Sequence, residues 1–264
     1  MRNIKRDVGL FFDKDSADYL RHKYNDTFDS YMILRKNKAI ELMNGYLAPG
    51  FSEGVRILDA GCGPGILLDY INRFRVNYFG LDISKEMLKI AQSHSSQGNM
   101  NAQKYFLRGD LEALPFKSNS FDVVLSFGVI EYLNCDDDLL KEFYRVLKPE
   151  GYLLTAITNK YAYNLLLDDL IEILRKNRHV SKVLNIIKES LNMGEFKQRH
   201  FTIRKHVPSI FIKDVQLNNF TIEKQVYFGM NILPYPLHYF LGKRINQIVN
   251  DCFDKSGVKM MKAL

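Results

Sequence analysis

The stretch ILDAGCGPG, Ile57–Gly65, decides the fold. A short apolar run typical of a buried strand leads into glycines at alternate positions, Gly61, Gly63 and Gly65, and then into a helix-forming segment. Glycines at such a turn let a ligand approach the backbone and let the helix pack closely on the strand. The pattern therefore predicts a strand, a ligand-binding turn and a helix.

The flanking sequence repeats this alternation of strand and helix. Five β-rich segments, RILDA, NYFGLD, KYFLRGD, FDVVLSFG and YLLTAIT, are separated by helical segments. Such an order predicts parallel pairing through right-handed crossovers, hence an α/β fold with a doubly wound, mostly parallel sheet. Ligands in this architecture bind at the carboxyl ends of the strands.

Acidic residues stand at three successive strand ends. Asp59 lies two residues before Gly61, where a carboxylate would repel a pyrophosphate and suit a cationic amine. Asp82 ends the second strand, where a carboxylate can accept hydrogen bonds from ribose hydroxyls, and Asp110 follows the third, where it can meet an adenine amine. The glycine spacing also differs from the GxGxxG of nicotinamide and flavin enzymes, which disfavours an NAD-dependent oxidoreductase.

Five motifs resemble those of class I S-adenosylmethionine-dependent methyltransferases, in the subgroup that methylates quinones, sugars and natural products. They are ILDAGCGPG, GLDIS, GDLEALPF, SFDVVLSFGVIEYL and FYRVLKPEGYLL, and they span Arg56–Ala156 in this order. The resemblance implies a Rossmann-like fold, S-adenosylmethionine as cofactor and methyl transfer to a small molecule.

The resemblance also implies which residues bind the cofactor. Asp59 and the glycines would hold the methionine part, Asp82 the ribose and Asp110 the adenine amine. Ile83 and Leu111 would flank the adenine. The full expected set is Asp59, Gly61, Gly63, Gly65, Asp82, Ile83, Asp110, Leu111, Ser126, Phe127, Tyr31 and Arg35.

Tyr31 and Arg35 belong to an N-terminal helical segment that is similar to the family's lid. They are four residues apart on one helical face, so a structural stacking pair explains them as well as a cofactor contact does. Apolar positions at helical intervals predict one or two helices between about Ser16 and Leu47.

Glu131 is the candidate general base, because it follows the fourth strand with Tyr132 beside it. His200 and His206 are rivals, and a solvated loop carboxylate is the alternative reading of Glu131. A base is needed only for a poorly acidic hydroxyl, since positioning and desolvation supply most of the acceleration in methyl transfer.

No metal site is expected. The three cysteines form no CxxC pair, and Cys62 is interpreted as a packing residue. The run Asp136–Asp138 is interpreted as the acidic start of a helix.

Four regions are expected along the chain. They are an N-terminal helical lid (1–50), the cofactor-binding core (51–159), a helical cap inserted after strand five (160–206), and a C-terminal helix, last strands and tail (207–264). FTIEKQVYF is assigned as the sixth strand. No β-rich run follows it, so the seventh strand is expected to be missing or the sheet to be completed in another way.

The net charge of +7 is unevenly distributed. Lys and Arg number 20 against 21 Asp and Glu up to Asn159, but 17 against 9 from Lys160 onward. The basic C-terminal part points to an anionic or lipid-linked acceptor and leaves peripheral membrane contact open.

The alternatives are an RNA or DNA methyltransferase, disfavoured because SFGV replaces the Asn/Asp-Pro-Pro-aromatic motif, and a non-catalytic cofactor-binding protein. With no apolar run of about 18 residues and no signal-peptide pattern, the chain is expected to be soluble and cytoplasmic. The oligomeric state is left open.

Overall fold

The structure is a computed structural model that describes residues 4–23, 31–95, 103–161, 201, 203–226 and 259–263, with isolated positions at 179, 182–183 and 186. The strands are β1 (Arg56–Ala60), β2 (Asn77–Asp82), β3 (Lys104–Arg108), β4 (Phe121–Phe127), β5 (Leu147–Ala156), β6 (Phe220–Gln225) and β7 (Lys259–Ala263). The α-helices are α1 (Ile4–Lys23), α2 (Tyr31–Leu42), α3 (Leu68–Ile71), α4 (Lys85–Ser95), α5 (Asp136–Val146) and α6 (Pro208–Leu217). Short helical turns cover Met43–Leu47, Ala48–Gly50 and Ile130–Tyr132.

These strands form one sheet in the order β3-β2-β1-β4-β5-β7-β6. The first five pair in parallel, and β7 runs antiparallel to both of its neighbours. The strand order reverses between β1 and β4, which is where open α/β sheets bind ligands. The predicted doubly wound, mostly parallel fold is confirmed.

Alternate residues of the central strands pack into two separate hydrophobic cores, one on each face of the sheet. Leu58 and Val124 pack with the apolar faces of α5 and α6, whereas Ile57 and Val123 pack with α2 and α3. Since successive side chains of a strand point to opposite faces, the near-continuous apolar runs of β1 and β4 reflect burial on both sides.

The expectation of a missing seventh strand is wrong. Residues 259–263, KMMKA, lie antiparallel between β5 and β6, with Met261 opposite both Leu153 and Ile222. Lys, Met and Ala have little intrinsic preference for strands, so the sequence gives no local signal. Pairing on both edges overrides that weak preference.

The N-terminal helix begins at Ile4 and not near Ser16. Its buried or half-buried residues Val8, Phe11, Phe12 and Asp15 follow helical spacing, which charged neighbours obscure in the sequence. The C-terminal helix expected within 207–264 is present as α6, and the sixth strand is present. Most of the predicted cap (160–206) lies outside the described residues.

Among the described helices, none is long and apolar enough to cross a membrane.

Candidate active site

The glycine turn after β1 forms one wall of a cavity. Gly61, Gly63 and Gly65 all have positive φ, at 82°, 52° and 77°, a region that disfavours side chains. A Cβ on Gly61 would overlap Val129, whereas a Cβ on Gly63 would meet nothing within 4 Å. Gly61 therefore lets the turn pack against the segment after β4, and Gly63 leaves open space where a ligand can reach the backbone.

Asp59 is buried at the carboxyl end of β1 and lines this cavity. The Tyr78 hydroxyl donates a hydrogen bond of 2.8 Å to its Oδ2 atom. Burial raises the pKa of Asp59 to about 7, with a contribution from the charge of Asp82, while the bond from Tyr78 opposes the shift. A ligand cation at this carboxylate would restore its charge, so the site favours an ammonium group.

Asp82, the last residue of β2, is held by backbone donors. The N–H of Gly63 donates to Oδ2 and the N–H of Ser84 donates to Oδ1, both at 2.8 Å. Burial raises the pKa of Asp82, although these two bonds lower it in part. The carboxylate thereby joins the glycine turn to the start of α4 and keeps acceptor capacity towards the cavity.

Asp110 lies just beyond β3 and is bound by a lysine from α1. Lys5 Nζ donates to its Oδ2 atom at 2.5 Å and also pairs with Glu112. Burial would lower the pKa of Lys5, but the two carboxylates outweigh burial and raise it. Lys5 lines the same cavity and therefore ties the N-terminal helix to the part of the cavity wall that Asp110 forms.

A second tie holds α1 over the cavity. Asp13 Oδ1 accepts hydrogen bonds from the Ser84 hydroxyl (2.6 Å) and from the backbone N–H of Glu86 (3.1 Å). Between Lys5 and Asp13, Gly9 packs against Ile83, since a Cβ at Gly9 would lie 3.6 Å from that side chain. The helix thus runs across the carboxyl ends of β2 and β3.

The end of β4 carries the opposite wall. Phe127 lines the cavity, as expected. Ser126 is fully buried and is not among the lining residues, and the Ser126 carbonyl accepts a 2.9 Å hydrogen bond from Thr155 Oγ1. Gly128 follows with φ 71°, and a Cβ there would overlap the guanidinium of Arg35. Arg35 is therefore seated directly on the Gly128 backbone and lines the cavity.

Glu131 is buried behind Arg35. Its Oε1 atom lies 3.9 Å from Arg35 Nη1. The neighbouring residues Tyr132 and Leu133 line the cavity, but Glu131 is not among the described residues that do so. Burial raises the pKa of Glu131, while the Arg35 charge lowers it in part.

His206 is buried beside Asp136. Its Nε2 atom lies 3.2 Å from Asp136 Oδ1, while Arg204 donates to Asp136 Oδ2 at 2.9 Å. Burial raises the pKa of Asp136, but His206 and Arg204 outweigh it, so the net shift is downward. This cluster anchors 204–206 to the start of α5, in keeping with the interpretation of Asp136–Asp138 as a helix start. His200 lies outside the described residues.

The remaining expected contacts fall as follows. Ile83 and Leu111 line the cavity, and Gly65 packs on Leu68 in the turn below. Tyr31 begins α2, but its side chain lies outside the described residues. Cys62 lines the cavity with a thiol whose pKa burial raises well above its usual value, in keeping with a packing role.

Among the residues of this site that sequence reasoning missed are Lys5, Asp13, Tyr78 and Gly128. Lys5 and Asp13 act from a helix whose position over the sheet no local pattern reveals. Gly128 carries the one available signal, because a lone glycine directly after a β-rich run suggests close backbone approach.

The family follows from residues 58–155, which match the family model described as a methyltransferase domain. An uncharacterised protein of Methanocaldococcus jannaschii is 30% identical over 237 residues, covering 85% of this chain and 84% of that protein. The chain belongs to the class I S-adenosylmethionine-dependent methyltransferases. Ubiquinone biosynthesis O-methyltransferase of Brucella ovis is 29% identical to this methyltransferase over 139 residues, or 53% of this chain and 54% of that relative. This second similarity therefore spans about half of each chain.

Solved structures share the fold of this methyltransferase. Magnesium protoporphyrin IX methyltransferase of Synechocystis, with bound S-adenosylhomocysteine, superposes with a TM-score of 0.65 at 17% identity, covering 99% of this chain and 100% of that one. The protein that forms a complex with the Trm112 methyltransferase activator of Haloferax volcanii gives 0.61 at 18% identity, with 96% of each chain covered.

The residues of the cavity fit S-adenosylmethionine, the cofactor of this family. Asp59, Asp82 and Asp110 supply acceptors at the three strand ends, which suits a ligand with an amine, hydroxyls and an adenine amine and would repel a phosphate.

Proposed function

We propose that this methyltransferase methylates a small organic acceptor, which binds beside the methionine end of the cofactor. The observation that carries the proposal is the set of acidic side chains around one glycine-walled cavity at the switch point of the sheet. When bound, the cofactor supplies an electrophilic methyl group on a sulfonium.

In this proposal the acidic residues fix the cofactor along the strand ends. Asp59 holds the amine, Asp82 the ribose hydroxyls and Asp110 the adenine amine, while Ile83 and Leu111 pack on the two faces of the base. Gly61 and Gly63 admit the methionine part, and Arg35 attracts its carboxylate. Fixing the cofactor in this way converts a bimolecular reaction into an oriented one, which is the main source of acceleration in methyl transfer.

For Glu131 we propose the positioning of Arg35 in place of the proton transfer first expected of it. The side chain is buried and pairs with the guanidinium, and Arg35 lines the cavity whereas Glu131 does not. If Glu131 took the acceptor's proton directly, Glu131→Gln would remove the acidic limb of the rate profile, which is the rise in rate with pH as the carboxylate ionises. For a positioning residue, the same substitution weakens cofactor binding and leaves the shape of the profile unchanged.

Support for a small-molecule acceptor comes from the Brucella ovis relative, whose name gives ubiquinone biosynthesis and O-methylation. The basic excess, which could also attract nucleic acid, belongs to residues after Asn159. Most of these residues lie outside the described part, so no RNA interface is proposed.

The test is transfer of labelled methyl from S-adenosylmethionine to three acceptor sets: phenols and quinols, sugar nucleotides, and total RNA. We expect label in a small-molecule set, and expect it to disappear with Asp82→Ala. Label in RNA alone would overturn the proposed acceptor class, and no label in any set would overturn the proposed reaction.

A further inference from the structure

A cluster of half-buried aromatic side chains lies at the cavity and contributes part of its wall. It is defined by Phe11, Phe12, Tyr19, Tyr132 and Phe201, and is called the aromatic mouth below. Phe12 and Tyr132 meet edge to face with ring centres 5.3 Å apart, and Phe201 meets Tyr132 at 5.8 Å. Phe12, Tyr19 and Tyr132 line the cavity.

The rings of the aromatic mouth differ from those of the core in exposure. All five are half-buried, whereas core rings such as Phe121, Phe143 and Phe211 are fully buried. Half-buried aromatic surface on a cavity wall offers apolar area that a ligand can cover, which is the usual composition of a small-molecule site.

The aromatic mouth also lies at the end of the cavity where methyl transfer would occur. Gly61, in the turn that would receive the methionine part, packs against Val129. One short helical turn separates Val129 from Tyr132, whose N–H donates to the Val129 carbonyl at 2.9 Å. The adenine end, marked by Lys5 and Asp110, lies at the other side of the sheet's switch point.

The helix α1 connects the two ends. Lys5 and Phe12 are seven residues apart, or about 10 Å along a helix, so α1 tied down by Lys5 and Asp13 presents Phe12 to the mouth. Phe12 therefore contributes to the aromatic mouth only when α1 lies over the cofactor cavity.

We propose that the aromatic mouth binds a planar, unsaturated ring of the methyl acceptor against the cavity-facing sides of Phe12 and Tyr132. This inference rests on the proposed function, since it names the acceptor class of the same site. Aromatic rings pair edge to face or offset with such a ring, a preference that a saturated sugar ring does not share. A hydroxyl oxygen on the bound ring attacks the methyl carbon as the carbon–sulfur bond breaks. The bonding pair stays on sulfur, giving S-adenosylhomocysteine, and the hydroxyl proton passes to water.

The experiment measures binding of the probes and not the rate of methyl transfer, because the rate would also depend on how acidic the hydroxyl of each probe is. The probes are 3,4-dihydroxybenzoate, 2-hydroxy-1,4-naphthoquinone and the saturated 3,4-dihydroxycyclohexanecarboxylate, each titrated by calorimetry into protein saturated with S-adenosylhomocysteine. We expect at least one planar probe to bind at least about tenfold more tightly than the saturated one.

Two variants and a control locate the binding. Tyr132→Leu and Phe12→Leu should each raise the Kd of the planar probe about three- to tenfold. Tyr105→Leu changes an exposed ring on the edge strand β3 and should leave the Kd of the planar probe unchanged.

Each outcome decides one claim. Failure of the wild-type protein to bind S-adenosylhomocysteine would overturn the proposed function itself. Three results would overturn only the ring inference, provided that the protein binds the cofactor product. They are equal affinity for planar and saturated probes, no binding of any planar probe, and binding of the planar probe that neither variant changes.

Discussion

Asp13 in the N-terminal helix accepts a 2.6 Å hydrogen bond from the hydroxyl of Ser84, which stands at the start of α4. The same oxygen accepts the backbone N–H of Glu86, so a residue of α1 caps the N-terminus of another helix. Ser84 in turn donates its N–H to Asp82. The position of α1 is thereby linked to the carboxylate proposed to hold the ribose.

Removing this cap should weaken both the fold and the cofactor site. Asp13→Ala is expected to lower the free energy of unfolding by about 0.5–2 kcal/mol, the usual cost of a lost N-cap. It should also raise the Kd for S-adenosylmethionine, because α1 loses a tie across the cavity. Asp13→Asn keeps an oxygen that can cap and is the matched control. Urea unfolding and calorimetry would show the difference, and equal values for the two variants would refute the link.

Lys5 should govern how fast the cofactor leaves. Its pairing with Asp110 and Glu112 is half-exposed, so Lys5→Met is expected to change stability by no more than about 1 kcal/mol. Dissociation of the cofactor should nevertheless be faster, since α1 is released at the adenine end. Lys141→Met removes a similar exposed pair, with Asp137, outside the cavity and serves as the control. Stopped-flow displacement measures both rates; an unchanged rate in Lys5→Met would show that the pair is only structural.

Cofactor binding should depend on pH through Asp59. Its pKa of about 7 means that the carboxylate is largely protonated at pH 6 and ionised at pH 8, so affinity for the cofactor's ammonium group should increase over this interval. Tyr78→Phe removes the bond that lowers this pKa, and the rise in affinity should move to higher pH. Asp59→Asn should abolish this dependence. Calorimetry between pH 6 and 8 tests this, and the same slope in wild type and Asp59→Asn would count against the assignment.

The same group should affect stability with the opposite sign. Because the folded-state pKa of Asp59 is raised above its ordinary value of 3.8, the folded state binds this proton more tightly than the unfolded state. The contribution of Asp59 is therefore most favourable below about pH 4 and is lost as the pH rises towards 7. The difference in unfolding free energy between wild type and Asp59→Asn should shift against wild type across this window, and a constant difference would disagree with a raised pKa.

Arg35 should be able to keep its position against the backbone only when residue 128 is glycine. Gly128→Ala combines a positive φ with an overlap between the new Cβ and the guanidinium, so Arg35 must move. Gly54→Ala is a matched control, because Gly54 also has positive φ but open space around it. Both variants should lose about 1 kcal/mol of stability from backbone strain. Only Gly128→Ala should lose cofactor affinity, and equal affinities would remove Arg35 from the proposed site.

The sequence predicts the parallel part of the fold because local and global signals agree there. The runs of β1 and β4 are apolar throughout, as strands covered on both faces must be, and the glycine turn marks the junction between strand and helix. The acidic residues at the strand ends could be predicted for the same reason: the carboxyl ends of adjacent parallel strands meet at one edge. Asp59, Asp82 and Asp110 do line one cavity.

What the sequence does not predict depends on contacts between distant segments. KMMKA becomes a strand only because β5 and β6 offer it hydrogen bonds on both sides. Lys5 reaches Asp110 across more than a hundred residues of chain. The pairing of buried Glu131 with Arg35 joins the segment after β4 to α2, and no local pattern in the sequence predicts it.

The most direct test of the account is calorimetric titration of S-adenosylmethionine into wild type and Asp82→Ala at pH 8, with Asp69→Ala as an exposed acidic control. The account predicts one cofactor per chain for wild type and for the control. For Asp82→Ala it predicts at least about a tenfold weaker Kd, since hydrogen bonds to a charged group contribute about 1.5–3 kcal/mol each. Folded wild-type protein that binds no cofactor, or an Asp82→Ala variant that binds as tightly as wild type, would contradict it.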